Sequence, residues 1–213
     1  MEMNLGLSER VAKLRDRVSE IIRNDIMPLE AEYHAEVSKG DRWTLTDRQV
    51  EIMTGLKDKV RAEGLWNFWL TGSDKGFGLT TVEYAYMAEE LGKSPLAAEV
   101  FNCSAPDTGN MEVFERYGTE EMKTRWLAPL LAGEIRSAYV MTEPDVASSD
   151  ATNLSLSCVR DGDDYVLNGE KVFITSGTRA DWLTVAVRTD PQNKGPGGIS
   201  MLLVPGDSPG LQR

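Results

Sequence analysis

The stretch Tyr139-Val-Met-Thr-Glu-Pro-Asp-Val-Ala-Ser-Ser-Asp150 holds the densest set of groups able to bind rather than merely pack. A strand is expected to end at Thr142, and Pro144 prevents its regular continuation. Ala147, Ser148 and Ser149 are small, so other atoms can approach the backbone closely. Free amides and hydroxyls in such a loop suit an anionic group. A second stretch, Lys171-Val-Phe-Ile-Thr-Ser-Gly177, places an aromatic ring two residues from a hydroxyl. On a strand Phe173 and Thr175 share a face. The ring can then pack on a planar cofactor while the hydroxyl bonds to its edge. The first segment also reads as an ordinary strand-end turn, and the second as an ordinary sheet face.

Composition narrows the chemistry. The chain has 213 residues, 41% of them apolar, which suits one large or two small domains. Its net charge is −11. That balance argues against binding nucleic acid or an anionic membrane surface. His34 is the only histidine, so a metal site built on several histidines is excluded and a Ser-His-Asp arrangement would rest on His34 alone. His34 has Glu32 and Glu36 as neighbours and reads as solvated. Cys103 and Cys158 form no CxxC pair, which fits a reducing compartment. No apolar run approaches the roughly 18 residues of a membrane span, and no secretory leader is visible. Gly92-Lys93-Ser94 lacks the earlier glycine of a phosphate-binding loop, since Met87 stands there. Asn102-Cys-Ser104 and Asn153-Leu-Ser155 read as chance glycosylation matches. The expected protein is soluble, acidic and intracellular, and its chemistry rests on hydroxyls, backbone, carboxylates or a borrowed cofactor.

The elements that position these residues fall into two halves. Up to about residue 134 apolar residues follow helical spacing. Leu7, Val11, Leu14, Val18 and Ile21 lie on one face, with Ser8 as a cap and Pro28 interrupting the run. Thr46-Asp-Arg-Gln49 and Thr80-Thr-Val-Glu83 are capping boxes, and Gly64 and Gly92 stop the helices they open. Helices are expected over 107–117 and from Thr119 to Gly133, with a bend or early stop at Pro129. After Gly133 the period falls to two. Strands are expected over 137–142, 154–160, 165–168, 171–175, 182–187 and 199–204, with a turn at Asp161-Gly162-Asp163-Asp164 and Asn168-Gly169 as a hairpin signal. The fold class is therefore α+β: an all-α helical domain over 1–134 followed by an antiparallel β domain over 135–213.

Together these segments resemble the acyl-CoA dehydrogenases, flavoenzymes that desaturate fatty acyl thioesters. Met141-Thr-Glu-Pro144 followed by Ser149-Asp150 is similar to the family's first signature, and the strand from Lys171 to Gly177 to its second. Gly109-Asn-Met-Glu-Val-Phe-Glu-Arg-Tyr-Gly118 and Trp126-Leu-Ala-Pro-Leu-Leu-Ala-Gly133 resemble the helices leading into its β domain. The loop Asp145-Val-Ala-Ser-Ser149 is one residue longer than the form common in short- and medium-chain members. With Ala105-Pro-Asp-Thr-Gly109 it resembles the branch of family members 10 and 11 and its bacterial relatives.

The resemblance implies FAD as cofactor, acyl-CoA as substrate and electron-transfer flavoprotein as electron acceptor. It implies a homodimer or homotetramer, cytoplasmic in a bacterium and mitochondrial or peroxisomal in a eukaryote. The implied flavin-contacting residues are Tyr139, Val140, Met141, Thr142, Ser148, Ser149, Phe173, Ile174 and Thr175, with Ser149 also touching the acyl-CoA. Phe173 stands where many members carry tryptophan. Glu143 belongs to the loop architecture rather than to proton transfer. The family's glutamate base lies in a C-terminal four-helix domain beyond Arg213, so the resemblance assigns no catalytic residue within these 213 residues. It further implies that this chain alone exposes apolar surface and self-associates. The alternative is a short, non-catalytic relative acting as a binding or assembly module.

Overall fold

The computed structural model describes residues 6–41, 43–71, 73, 75–148 and 150–213. They form two compact units, Met1–Thr108 and Gly109–Arg213. The division precedes the change of periodicity near residue 134, because helices after Gly109 pack with the sheet.

In the first unit, α1 spans Glu9–Ile21, and Ser8 Oγ accepts from the Val11 N–H at its start. Val11, Val18 and Ile21 are buried, as their spacing predicts. Pro28 does not stop this helix. A π-turn over Ile22–Ile26 carries it into α2, Met27–Glu36. Proline has no N–H, and its ring clashes with the carbonyl four residues back. The wider turn, closed by the Met27 N–H on the Ile22 carbonyl, absorbs that clash without ending the helix. Helices α3 (Asp47–Ala62) and α4 (Thr81–Leu91) each open on the complete capping box expected at Thr46 and Thr80. A short α5, Ala97–Val100, follows. Phe68 stands between Phe77 and Phe101, with ring centroids 6.0 and 5.5 Å away. His34 is exposed, as expected.

The second unit takes most of α6, Asp107–Tyr117, then α7 (Glu120–Met122) and α8 (Ala128–Ala132). Pro129 meets the same solution as Pro28: a π-turn over Lys123–Leu127 is closed by the Ala128 N–H on the Lys123 carbonyl. The five strands are β1 (Ser137–Val140), β2 (Ser157–Asp161), β3 (Asp164–Asn168), β4 (Trp182–Arg188) and β5 (Ile199–Pro205). Central β4 is flanked by β5 on one side and by β1 and then β2 on the other. Leu183, Val185 and Val187 lie in a core with Ala138, Val140, Leu156 and Cys158. Trp182 is buried against Phe114 and Trp126, at 4.9 and 6.2 Å between ring centroids. Both faces of β4 are thus covered, which is why it reads as a nearly continuous apolar run.

Three expectations are corrected. The sheet is mixed rather than wholly antiparallel: β2–β3 and β4–β5 are antiparallel, whereas β1 and β2 run parallel to β4. The expected turn at Asp161-Gly162-Asp163-Asp164 is the hairpin between β2 and β3, with Gly162 at φ 63°, whereas Asn168-Gly169 makes none. At Gly169 the chain leaves the sheet across Leu156, whose atoms lie 2.8 Å from where a Cβ would stand. Residues 171–175 are not a strand, because Phe173 and Ser176 take left-handed backbone angles, φ 55° and 62°. Those angles break the extended geometry that a ladder requires.

Candidate functional site

Strand β1 carries the first group of residues singled out from sequence. Tyr139 sits opposite Thr184 of β4 and is partly exposed, and its hydroxyl lies 3.9 Å from Met141 Sδ. Val140 is buried in the core, which leaves only its backbone for a ligand. Met141 and Thr142 follow the strand, half-buried. Ser148 Oγ accepts from the Glu143 N–H at 3.0 Å and donates to the Val146 carbonyl, so its hydroxyl serves the loop. Ser149 lies outside the described residues. Beyond it, Asp150 caps a short 3₁₀ turn, Ala151–Asn153, by accepting from the Thr152 N–H and hydroxyl. Those bonds hold the Asp150 carboxyl below its ordinary range.

The second group lies on the irregular segment after Lys171. Phe173 is 93% exposed and Thr175 is exposed, while Ile174 between them packs against the core. The alternation expected of a strand therefore survives in burial although the strand does not. The Val172 N–H donates to the Thr142 carbonyl at 2.9 Å, and Lys171 Nζ to the Met141 carbonyl at 2.9 Å. These two bonds bring the segments together across about thirty positions of sequence and place Phe173 next to the end of β1.

Glu143 organises this junction. Its carboxylate receives Lys171 Nζ at 2.8 Å and the Leu156 N–H at 2.9 Å on one oxygen. The other oxygen receives the Ser155 N–H at 2.8 Å and the Ser155 hydroxyl at 2.5 Å. The Lys171 and Glu143 side chains are 5% and 3% exposed. Burial pushes the Glu143 pKa up, but the bonds from Lys171, Ser155 and Leu156 outweigh it and bring it down to about 2. A buried, fully bonded carboxylate of that acidity is a poor proton acceptor, which agrees with a role in loop architecture.

Two further knots went unforeseen. Asn110 of α6 donates to Ser137 Oγ and to the Ala138 carbonyl, and accepts from the Thr184 hydroxyl, tying the helix to β1 and β4. Buried Arg188 closes β4 by donating to the carbonyls of Leu154, Asn193, Gly195 and Thr152. An arginine ending an apolar strand run is a sequence signal for such a knot. The Glu143–Lys171 pair, 28 positions apart, has no such signal. An open cleft beside Arg188, lined by Thr152, Ser155, Cys158, Val159, Pro191 and Lys194, contains none of the residues that the resemblance implies for flavin contact.

Among the described residues, no helix is long and apolar enough to cross a membrane. The sequence profile of the acyl-CoA dehydrogenase N-terminal domain matches residues 8–134, and that of the middle domain matches 138–213. Acyl-CoA dehydrogenase family member 10 of Mus musculus is 48% identical over 97% of this chain, which spans 20% of the mouse protein. A putative acyl-CoA dehydrogenase from Mycobacterium abscessus is 42% identical with a TM-score of 0.87, over 96% of this chain and 52% of that one. A glutaryl-CoA dehydrogenase from Mycobacterium smegmatis, solved in complex with FADH2, is 29% identical with a TM-score of 0.69, over 96% of this chain and 47% of that one. The chain thus spans about half of each of those two structures and about a fifth of the mouse protein. With both profiles matched in order along nearly all of its length, the chain belongs to the acyl-CoA dehydrogenase family.

Proposed function

We propose that this chain forms the N-terminal and middle parts of an FAD-dependent acyl-CoA dehydrogenase, which desaturates an acyl-CoA thioester between its α and β carbons. The observation that carries this reading is the junction of Met141 and Thr142 with Lys171 and Val172, which presents the Phe173 ring to solvent beside the end of β1. A non-glycine residue held at φ 55° with an apolar ring almost wholly exposed is costly in isolation. A flat apolar partner on that ring offsets the cost, so the residues fit an isoalloxazine. Bound FAD would supply the redox chemistry by accepting a hydride from the substrate β carbon.

The chain's own residues would bind and orient. Thr142 and the backbone of Val140, Met141 and Ile174 would meet the flavin edge, Phe173 its face, and Thr175 the neighbouring polar edge. Tyr139, Ser148 and Ser149 would line the approach to the phosphates, and Ser149 would also contact acyl-CoA. Alignment is the protein's main contribution, with reacting atoms held about 3–3.5 Å apart. None of these residues is assigned as the base, and the pairing of Glu143 with Lys171 removes it from that role. Electron-transfer flavoprotein as acceptor and a homodimer or homotetramer complete the reading.

The test is a visible spectrum of the protein purified with its natural flanking sequence. A flavin band that bleaches on adding an acyl-CoA is expected. A colourless protein that does not take up added FAD overturns the reading.

A further inference from the structure

The two segments that carry the proposed flavin contacts are not joined by a β-ladder. Strand β1 ends at Val140, and residues 171–177 are irregular. Between Lys171 and Val172 on one side and Met141, Thr142 and Glu143 on the other, three hydrogen bonds are made. One is the backbone bond from Val172 to Thr142, and the other two are made by Lys171 Nζ, to the Met141 carbonyl and to Glu143. Glu143 in turn holds Ser155 and Leu156, and its own N–H is held by Ser148. The ammonium and the carboxylate thus set the distance between the end of β1, the loop after it and the segment presenting Phe173. Both side chains are almost fully buried, and the Glu143 carboxylate is bonded on both oxygens, so the pair is withdrawn from the exposed surface that would meet a ligand.

We propose that Glu143 and Lys171 are positioning residues for the flavin: the buried pair holds Thr142 and Phe173 at the separation the cofactor needs, and cofactor affinity depends on it without contact. This rests on the flavin reading above. Loss of a pair that merely stabilised the fold would lower the melting temperature equally with and without FAD. Loss of a positioning pair also shrinks the FAD-induced rise at a given FAD concentration, because that rise reports affinity for the folded state.

The experiment compares wild-type protein, with its natural flanking sequence, to Glu143→Gln, Lys171→Met and Glu143→Asp. FAD affinity is measured by flavin fluorescence well below each melting temperature, and melting temperature with and without saturating FAD. Glu143→Gln and Lys171→Met are expected to weaken FAD binding by ~10-fold or more, as loss of supporting partners does at other bound groups. Glu143→Asp keeps the charge but withdraws the carboxylate by one methylene. It is expected to fold and to weaken FAD several-fold, so it carries the test if the neutral variants do not melt cooperatively. Arg17→Ala, on an exposed pair of the helical unit, is the control and should match wild type. Wild-type protein that ignores FAD overturns the flavin reading, and this inference with it. Wild-type protein that binds FAD, with Glu143→Asp and the folded neutral variants binding as tightly, overturns the positioning role alone.

Discussion

In the helical unit Arg17 reaches Glu63 at 2.6 Å with the two side chains 41% and 27% exposed, whereas in the sheet unit Lys171 reaches Glu143 at 2.8 Å with both almost fully buried. The distances are nearly the same, but the surroundings differ. Water screens the first pair, and either partner can be hydrated if the other is lost. The second pair has no such refuge, so losing one partner strands a charge. In the helical unit even the buried carboxylates of Glu36 and Glu90 pair with lysines that reach solvent. The sheet unit relies on buried polar knots where its ladders stop.

Breaking those knots should give the largest effects. Lys171→Met leaves the Glu143 carboxylate buried without its cation, and a loss of about 3–5 kcal/mol is expected in the unfolding free energy from urea titration of the full protein. The same pair sets an acid limb. The folded pKa of Glu143 lies near 2, below its ordinary 4.5. Its stabilising contribution is thus complete above about 4.5 and drains away as pH falls towards 2. Wild type should lose this stability over that window, and Glu143→Gln should lack that component of the slope. Arg188→Met removes the arginine donor from four backbone carbonyls, of which Gly195 keeps the Gly198 N–H, and is expected to cost about 2–3 kcal/mol. Thr46→Ala removes one half of a capping box and should cost about 1 kcal/mol. Arg17→Ala should be the smallest change, with a denaturation midpoint close to wild type. If Arg17→Ala proved as damaging as Lys171→Met, the contrast between the two units would fail.

The prolines sharpen the comparison in another way, because here the two units behave alike. Pro28 and Pro129 each suggest an interruption, yet each sits just after a π-turn that lets the helix continue. Replacing either proline with alanine should restore an ordinary i→i−4 bond and shift the register of the residues before it. Amide exchange across 22–26 or 123–127 would show the change.

Local chemistry was readable where it is local. The caps at Ser8, Thr46, Thr80 and Thr119 involve partners three residues away, so four-residue patterns reveal them. The short apolar runs of β4 and β5, bounded by Asp181, Gly198 and Pro205-Gly206, mark strands by their length and flanking turn residues. The stretches at 139–150 and 171–177 carry the resemblance to the acyl-CoA dehydrogenases, and the two family profiles match the chain in the same order. What sequence could not supply is anything decided by a contact between distant positions. Whether 171–175 formed a strand depended on a partner, and the partner ladder ends at Asn168. Parallel pairing of β1 with β4 brings together residues about 45 positions apart, a choice that no local pattern encodes. The Glu143–Lys171 pair is of the same kind. Each residue taken alone is an ordinary charged side chain, and only the fold, by closing 28 residues of chain and excluding water, makes one the partner that the other cannot lose.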